Sequence, residues 1–128
     1  MKILEIIDKY HCYVYNPHSI KENIEIQYGF CSDLMSDALI IMNSVKDDDI
    51  LDHTILITGL VTQQSIRTAE MLDVNVVLIV RGKTPSSKVI DLANELNIIL
   101  LKTDYTMFNT SGMMYKDGIK GISYNEQW

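Results

Sequence analysis

VVLIVRGKTP, residues 76–85, decides how this chain is read. Val76 through Val80 are all β-branched or aliphatic, and an unbroken apolar run of this length marks a strand covered on both faces, here over 75–80. The run stops at Arg81-Gly82 and passes through Pro85 into a segment with helical spacing. A glycine after a strand, then a proline where a helix opens, turns the chain sharply at the strand's carboxyl end. In α/β folds such turns commonly hold small molecules. The stretch therefore locates a place, and it carries no catalytic or metal signature of its own.

Working outward, TILITG (54–59) is a second buried-type strand that ends at Gly59, and IILL (98–101) is a third. IEIQYGF (24–30) reads as a strand ahead of them. Helices are expected between the strands. Ser32-Asp33 supplies N-cap chemistry for one running to Met42, with Leu34, Met35, Ala38, Ile41 and Met42 inward. Thr62 caps the next, over 63–72, with Ile66, Ala69 and Leu72 inward. Pro85 and Ser86 open a third, with Val89, Ile90, Ala93 and Leu96 inward and Asn97 as its stop. Asp104 or Thr106 caps a last helix to Tyr115, closed by Gly118. Residues 2–10 form an amphipathic helix, CYVYN (12–16) a short strand stopped at Asn16-Pro17, and 46–49 a charged turn. This alternation predicts right-handed βαβ units. The fold class is α/β: a single domain with a mostly parallel central sheet and helices on both faces, spanning 1–118, with a tail at 119–128.

Composition narrows the function classes. The chain has 128 residues, 47% of them hydrophobic, enough for one domain with a real core. Its net charge is −6 and its pI about 4.9. A general nucleic-acid binder needs a basic stripe, and an anionic membrane surface would repel this chain. No apolar run reaches the ~18 residues of a spanning helix. Glu5 and Asp8 interrupt the first apolar stretch, unlike a signal peptide. Cys12 and Cys31 read as free thiols, so a cytoplasmic location is expected.

The candidate site is a set of turn residues: Gly59, Thr62, Gln63, Gln64, Arg81, Gly82, Lys83, Thr84, Thr103, Asp104 and Thr106. All follow predicted strands, so in a parallel sheet they share one edge. Helix N-termini there offer free N–H groups and partial positive charge, a setting for phosphate or carboxylate. The plainer reading is that these residues only make turns and caps, with Arg81 and Lys83 in solvent. Gly82-Lys83-Thr84 is no nucleoside-triphosphate loop, because position 77 is Val where that motif needs glycine. Asp33 and Asp37, four apart, suit a hard cation or acid–base work, or merely a helix dipole or a dimer contact. His11, His18 and His53 lack metal-ligand spacing; His53, just before a strand, is a candidate for the ligand edge. The methionines read as adaptable core filler. Phe108, Ser111, Gly112 and Tyr115 fall on one face of the last helix, open to close approach by the sheet or another subunit.

Four segments resemble the DRTGG domain family: YGFCSDLMSDAL (28–39), ILITGLVTQQSIRTAEML (55–72), VVLIVRGKTPSSKVIDLANELNIILLKTDYTMF (76–108) and SGMMYKDGI (111–119). The chain looks closest to stand-alone bacterial members. Related domains accompany CBS pairs in inorganic pyrophosphatases, occur in phosphotransacetylases, and form the N-terminal domain of HPr kinase/phosphorylase. There they regulate or support assembly, and other domains carry catalysis. Where relatives have Thr-Gly-Gly, this chain has Arg81-Gly82-Lys83. The resemblance implies a non-catalytic regulatory or assembly module without cofactor or metal. It also implies a homodimer that senses a nucleotide or phosphorylated small molecule. Gly59, Thr62, Gln63, Arg81, Gly82, Lys83, Thr103, Asp104 and Thr106 would be the binding residues. The alternative is a ligand-free scaffold docking on an electron-transfer (hydrogenase-associated) or kinase-like protein partner.

Overall fold

The computed structural model describes residues 1–21, 24–45 and 47–122. In chain order the elements are α1 (Ile3–Lys9), β1 (Tyr13–Val14), a 3₁₀ turn (Pro17–Ser19), β2 (Tyr28–Cys31), α2 (Met35–Asn43) and α3 (Asp48–Asp52). Then come β3 (Thr54–Thr58), α4 (Gln63–Met71), β4 (Val76–Ile79), α5 (Ser87–Glu95), β5 (Ile99–Lys102), α6 (Met107–Lys116) and β6 (Lys120–Gly121). They build one six-stranded sheet in the order β1-β5-β4-β3-β2-β6. All neighbours are parallel except β1, which runs antiparallel along β5.

The layers follow from connection handedness. β2, β3, β4 and β5 are laid down side by side in one direction, so right-handed crossovers put α2, α4 and α5 on the same face. There Met42, Ile66, Ala69, Val89, Leu92 and Ala93 pack on Leu56, Val77, Ile79 and Leu100. The last crossover runs the opposite way, from β5 back to β6 beside β2. The same handedness sends α6 to the other face, where it joins α1 over Ile55, Ile57, Val76, Leu78, Ile99 and Leu101. β3 and β4 are buried along their whole length, as their unbroken apolar runs require.

Several boundaries differ from the expectation. β2 begins at Tyr28, because Ile26 gives its N–H to Met1 and Glu25 bridges Lys2, tying this stretch to the N-terminus. α2 begins at Met35, and neither Ser32 nor Asp33 caps it; Leu34 holds the N-cap position, 57% exposed, and Ile41 is only half-buried. Of the charged turn expected at 46–49, position 46 lies outside the described residues, while 48 and 49 open α3 with Asp47 as N-cap, accepting the N–H of Asp49. Of the tail expected at 119–128, Ile119 is buried and Lys120–Gly121 pair with β2 as β6, while 123–128 lie outside the described residues. Asn16 does more than stop a strand. Its fully buried side chain donates to Ile98 O (2.6 Å) and accepts the Leu100 N–H (2.9 Å), extending the β1 pairing past Val14.

Candidate functional site

The exits of β2, β3, β4 and β5 lie along one rim, as parallel neighbours require, and every turn residue of the candidate set is on it. Such folds bind ligands where adjacent strands send their helices to opposite faces. Here that point lies between β4 and β5, since α5 covers one face and α6 the other. Arg81-Gly82 and Thr103–Thr106 flank it.

That crevice is closed by the protein itself. Arg81 and Gly82 both have left-handed backbone, with φ of 65° and 64°. This geometry aims their N–H groups across the gap, Arg81 to Tyr105 O (2.8 Å) and Gly82 to Thr103 O (2.9 Å). The Asp104 carboxylate lies against Gly82, only 2.8 Å from where a Cβ would stand. The buried Thr103 hydroxyl is given to Tyr10 O (2.8 Å). Thr106 uses its hydroxyl to accept the Asn109 N–H (3.3 Å) as the α6 cap. These backbone groups and hydroxyls are spoken for.

One turn over, the rim is different. An added Cβ at Gly59 would run into the Arg81 guanidinium, the flexible end of that side chain. Arg81 therefore lies over the Gly59 backbone, about half-exposed, with Nη2 3.6 Å from the Asp33 carboxylate. Asp33 also accepts the Gly59 N–H (2.5 Å) and the Thr58 hydroxyl (3.4 Å). Ser86 caps α5 and Thr106 caps α6, whereas Thr62 makes no side-chain cap bond at the start of α4. The first turn of α4 thus presents N–H groups without an internal side-chain partner, a few residues along the chain from the Gly59 turn that Arg81 covers. Gln63, Gln64, Lys83 and Thr84 are exposed nearby in the chain.

Asp33 stands outside the turn set read from the sequence, where it is paired with Asp37 at a helix start. In the structure it follows β2, and β2 is the parallel neighbour of β3. The exit of one must then lie beside the exit of the other, a signal available once strand order is known. Asp33 and Asp37 do not share a helix face, because Asp33 precedes α2. His53 is at the opposite edge: it precedes β3 and lines a cavity of about 610 Å³ with His18, Lys21, Glu25, Asn75 and Asn97. The directional reason is plain, since residues before parallel strands gather at the amino rim. Among the described residues no cluster of three or more His, Cys, Asp and Glu stands where a metal would be held. Cys12 and Cys31 are free. Burial pushes the Cys12 thiol up to about 12 and raises that of Cys31, which a bond with Ser111 partly offsets. Just past α1, Tyr10 donates to Asp117 (2.7 Å), and that bond together with Lys9 holds the carboxyl below its ordinary value. No helix of the described residues is long and apolar enough to cross a membrane.

No protein-family model matches the chain, and no curated protein matches it. Among solved structures it is similar to the CBS and DRTGG domains of the regulatory region of Clostridium perfringens pyrophosphatase, complexed with the activator diadenosine tetraphosphate. The likeness covers 88% of this chain at 18% sequence identity, with a TM-score of 0.61. This chain spans 45% of the length of that one. What the two share at that identity is architecture: this chain has a DRTGG-like α/β fold.

Proposed function

We propose that this chain is a regulatory module, without catalysis of its own, that binds an anionic small molecule on its carboxyl rim and works as a homodimer. The ligand class is a nucleotide or phosphorylated metabolite. The observation that carries the reading is the Arg81 guanidinium laid over Gly59, whose turn leads into the uncapped start of α4. A phosphate there would meet a fork of N–H donors, the first amides of α4, the Thr62 hydroxyl, and the nearby charge of Lys83. Gly82, Thr103, Asp104 and Thr106 would frame the corner from the closed crevice. The kinship in fold with a regulatory region solved with a nucleotide activator supports this reading. Free cysteines fit a reducing, cytoplasmic setting.

Asp33 supplies the mechanism. Its carboxylate now holds the position an incoming anion would take. A phosphate carries more charge and more acceptor oxygens, so it would displace Asp33 and free the segment leading into α2. Binding is then coupled to a second arrangement of the rim, and its effect on any partner is limited by its differential affinity for the two arrangements.

Calorimetric titration with ATP, ADP, AMP and inorganic phosphate tests the proposal. At least one should bind, and Arg81→Ala should weaken it about tenfold or more, the worth of a charged hydrogen bond. Absence of heat for all four, in the native chain and in Asp33→Asn alike, would favour the second reading. That reading is a ligand-free scaffold docking on an electron-transfer or kinase-like partner, and the self-filled corner at Asp33 is the observation on its side.

A further inference from the structure

Beside the closed crevice the carboxyl rim opens into a hollow of about 310 Å³, lined by His11, Thr103, Asp104 and Tyr105. Strand register builds it. β1 runs antiparallel to β5 with Tyr13 opposite Lys102, so the residues before β1 stand beside those after β5. His11 has left-handed backbone, with φ of 53°, which turns the chain from the end of α1 into β1. The Thr103 hydroxyl, given to Tyr10 O, fastens the two segments together. The His11 and Tyr105 rings then stand 6.1 Å apart, tilted by 46°. Asp104 is exposed and takes part in none of the ion pairs of the described residues.

We propose that this hollow is the base subsite for a guanine nucleotide, which names the ligand class of the rim and rests, for its phosphate half alone, on the function proposed above. Rings beside a carboxylate suit a flat aromatic ligand that carries donors. An aromatic side chain stacks on the face of any base, so His11 and Tyr105 supply affinity without choice. The carboxylate supplies the choice, because an ionised Asp104 accepts hydrogen bonds and donates none. Guanine sets a ring N–H and an amino group side by side, two donors for two carboxylate oxygens. Adenine and cytosine set their amino group beside an unprotonated ring nitrogen, and uracil flanks its one N–H with two carbonyls. Against a carboxylate those acceptors repel. A metal ion fits the hollow less well, since His11 and Asp104 are its only lining side chains of ligating type.

The spacing along the rim agrees. The hollow lies at the exit of β5, and Gly59 under the Arg81 guanidinium lies at the exit of β3. Two strand spacings, ~10 Å, separate these exits. A nucleoside diphosphate bridges such a gap, with its base at one end and its terminal phosphate at the other. Arg81 ties the two ends together: its N–H holds Tyr105 O while its side chain covers Gly59.

Chemical-shift titration of the isotope-labelled full chain is the test, with GDP, ADP, guanosine and inorganic phosphate as probes. GDP should bind about tenfold or more tightly than ADP, the discrimination of a two-point base contact, with shifts at His11, Asp104 and Tyr105. Guanosine should move the same resonances without any phosphate. Asp104→Asn should remove the preference for GDP over ADP and leave inorganic phosphate unaffected. His11→Ala should weaken GDP, again without touching phosphate. Both positions are exposed, so circular dichroism should show the fold intact. Equal affinity for GDP and ADP overturns the proposal. So does a preference that survives Asp104→Asn, or guanosine that leaves these resonances still. Phosphate binding alongside any of those results sinks the base subsite alone. Guanosine bound at the hollow with no response to phosphate would sink the phosphate corner and leave the subsite standing.

Discussion

The two rims of the sheet differ in what closes them. At the carboxyl rim, turns bind turns: Arg81 to Tyr105, Gly82 to Thr103, and Gly59 to Asp33. At the amino rim, helices end in left-handed residues, Asp73 and Asn97, and the entering loops leave a hollow of about 610 Å³. Chain direction accounts for the contrast. Parallel strands place helix starts, with their unsatisfied N–H groups, on one side, and helix ends on the other. Donors left over at the carboxyl rim must find acceptors, and neighbouring carbonyls and a carboxylate supply them. Volume by itself is thus no measure of an anion site. Anion affinity follows from aimed N–H groups and a guanidinium, whereas volume follows from how loosely loops pack.

The largest expected effect concerns the amino rim. Asn16→Ala strips Ile98 O and Leu100 N–H of their buried partner, and should cost ~2–6 kcal/mol in urea unfolding, at ~1–3 kcal/mol per stranded group. A loss below ~1 kcal/mol would show that water replaces the side chain and that the amino rim is held more loosely still. Next is Gly82→Ala at the carboxyl rim. Its φ of 64° is left-handed, so a side chain there should cost about 1–2 kcal/mol, with Asp104 displaced. An unchanged melting temperature would mean the crevice is not zipped as described.

Smaller in stability, but sharper for function, is Asp33→Asn. The ion pair with Arg81 is half-exposed, so stability should move by less than ~1 kcal/mol. Affinity for inorganic phosphate should rise, because the internal competitor loses its charge. A fall in affinity would instead make Asp33 part of the ligand's own contacts. The subtlest effect is alkaline. Cys12 packs between α1 and β1, and its thiol is raised from 9.0 to about 12 by burial. A raised thiol favours the neutral form in the folded chain, so its contribution is complete below pH 9 and is lost as pH climbs toward 12. Cys12→Ala should flatten the pH dependence of unfolding in that window, and an unchanged curve would assign it to other groups.

The middle of the fold was legible from local pattern. Strands expected at 54–59, 75–80 and 98–101 stand at Thr54–Thr58, Val76–Ile79 and Ile99–Lys102, and the helices after Thr62 and Ser86 start where expected. These segments are covered on both faces or strongly two-sided, so burial writes itself into their composition. The edges were less legible. β6 has two residues, too few for a period, and takes its place only because β2 offers a free edge. β2 lost its expected first half to contacts with the N-terminus, a partner more than twenty residues away in sequence.

The candidate rim divides the same way. That Gly59, Arg81 and Thr103 leave strands on one side follows from direction alone, since all parallel strands exit together. Which of them touch was decided by tertiary structure. Strand order put the end of β2 beside that of β3, and so brought Asp33 to Gly59 and Arg81. The reversal after β5 put the switch point at Arg81-Gly82, where two left-handed residues shut it. Amphipathic period and strand-end glycines are set by neighbours a few residues apart, which the chain by itself determines. Pairing between exits depends on which distant strands share hydrogen bonds and bury each other, and only the assembled sheet decides that.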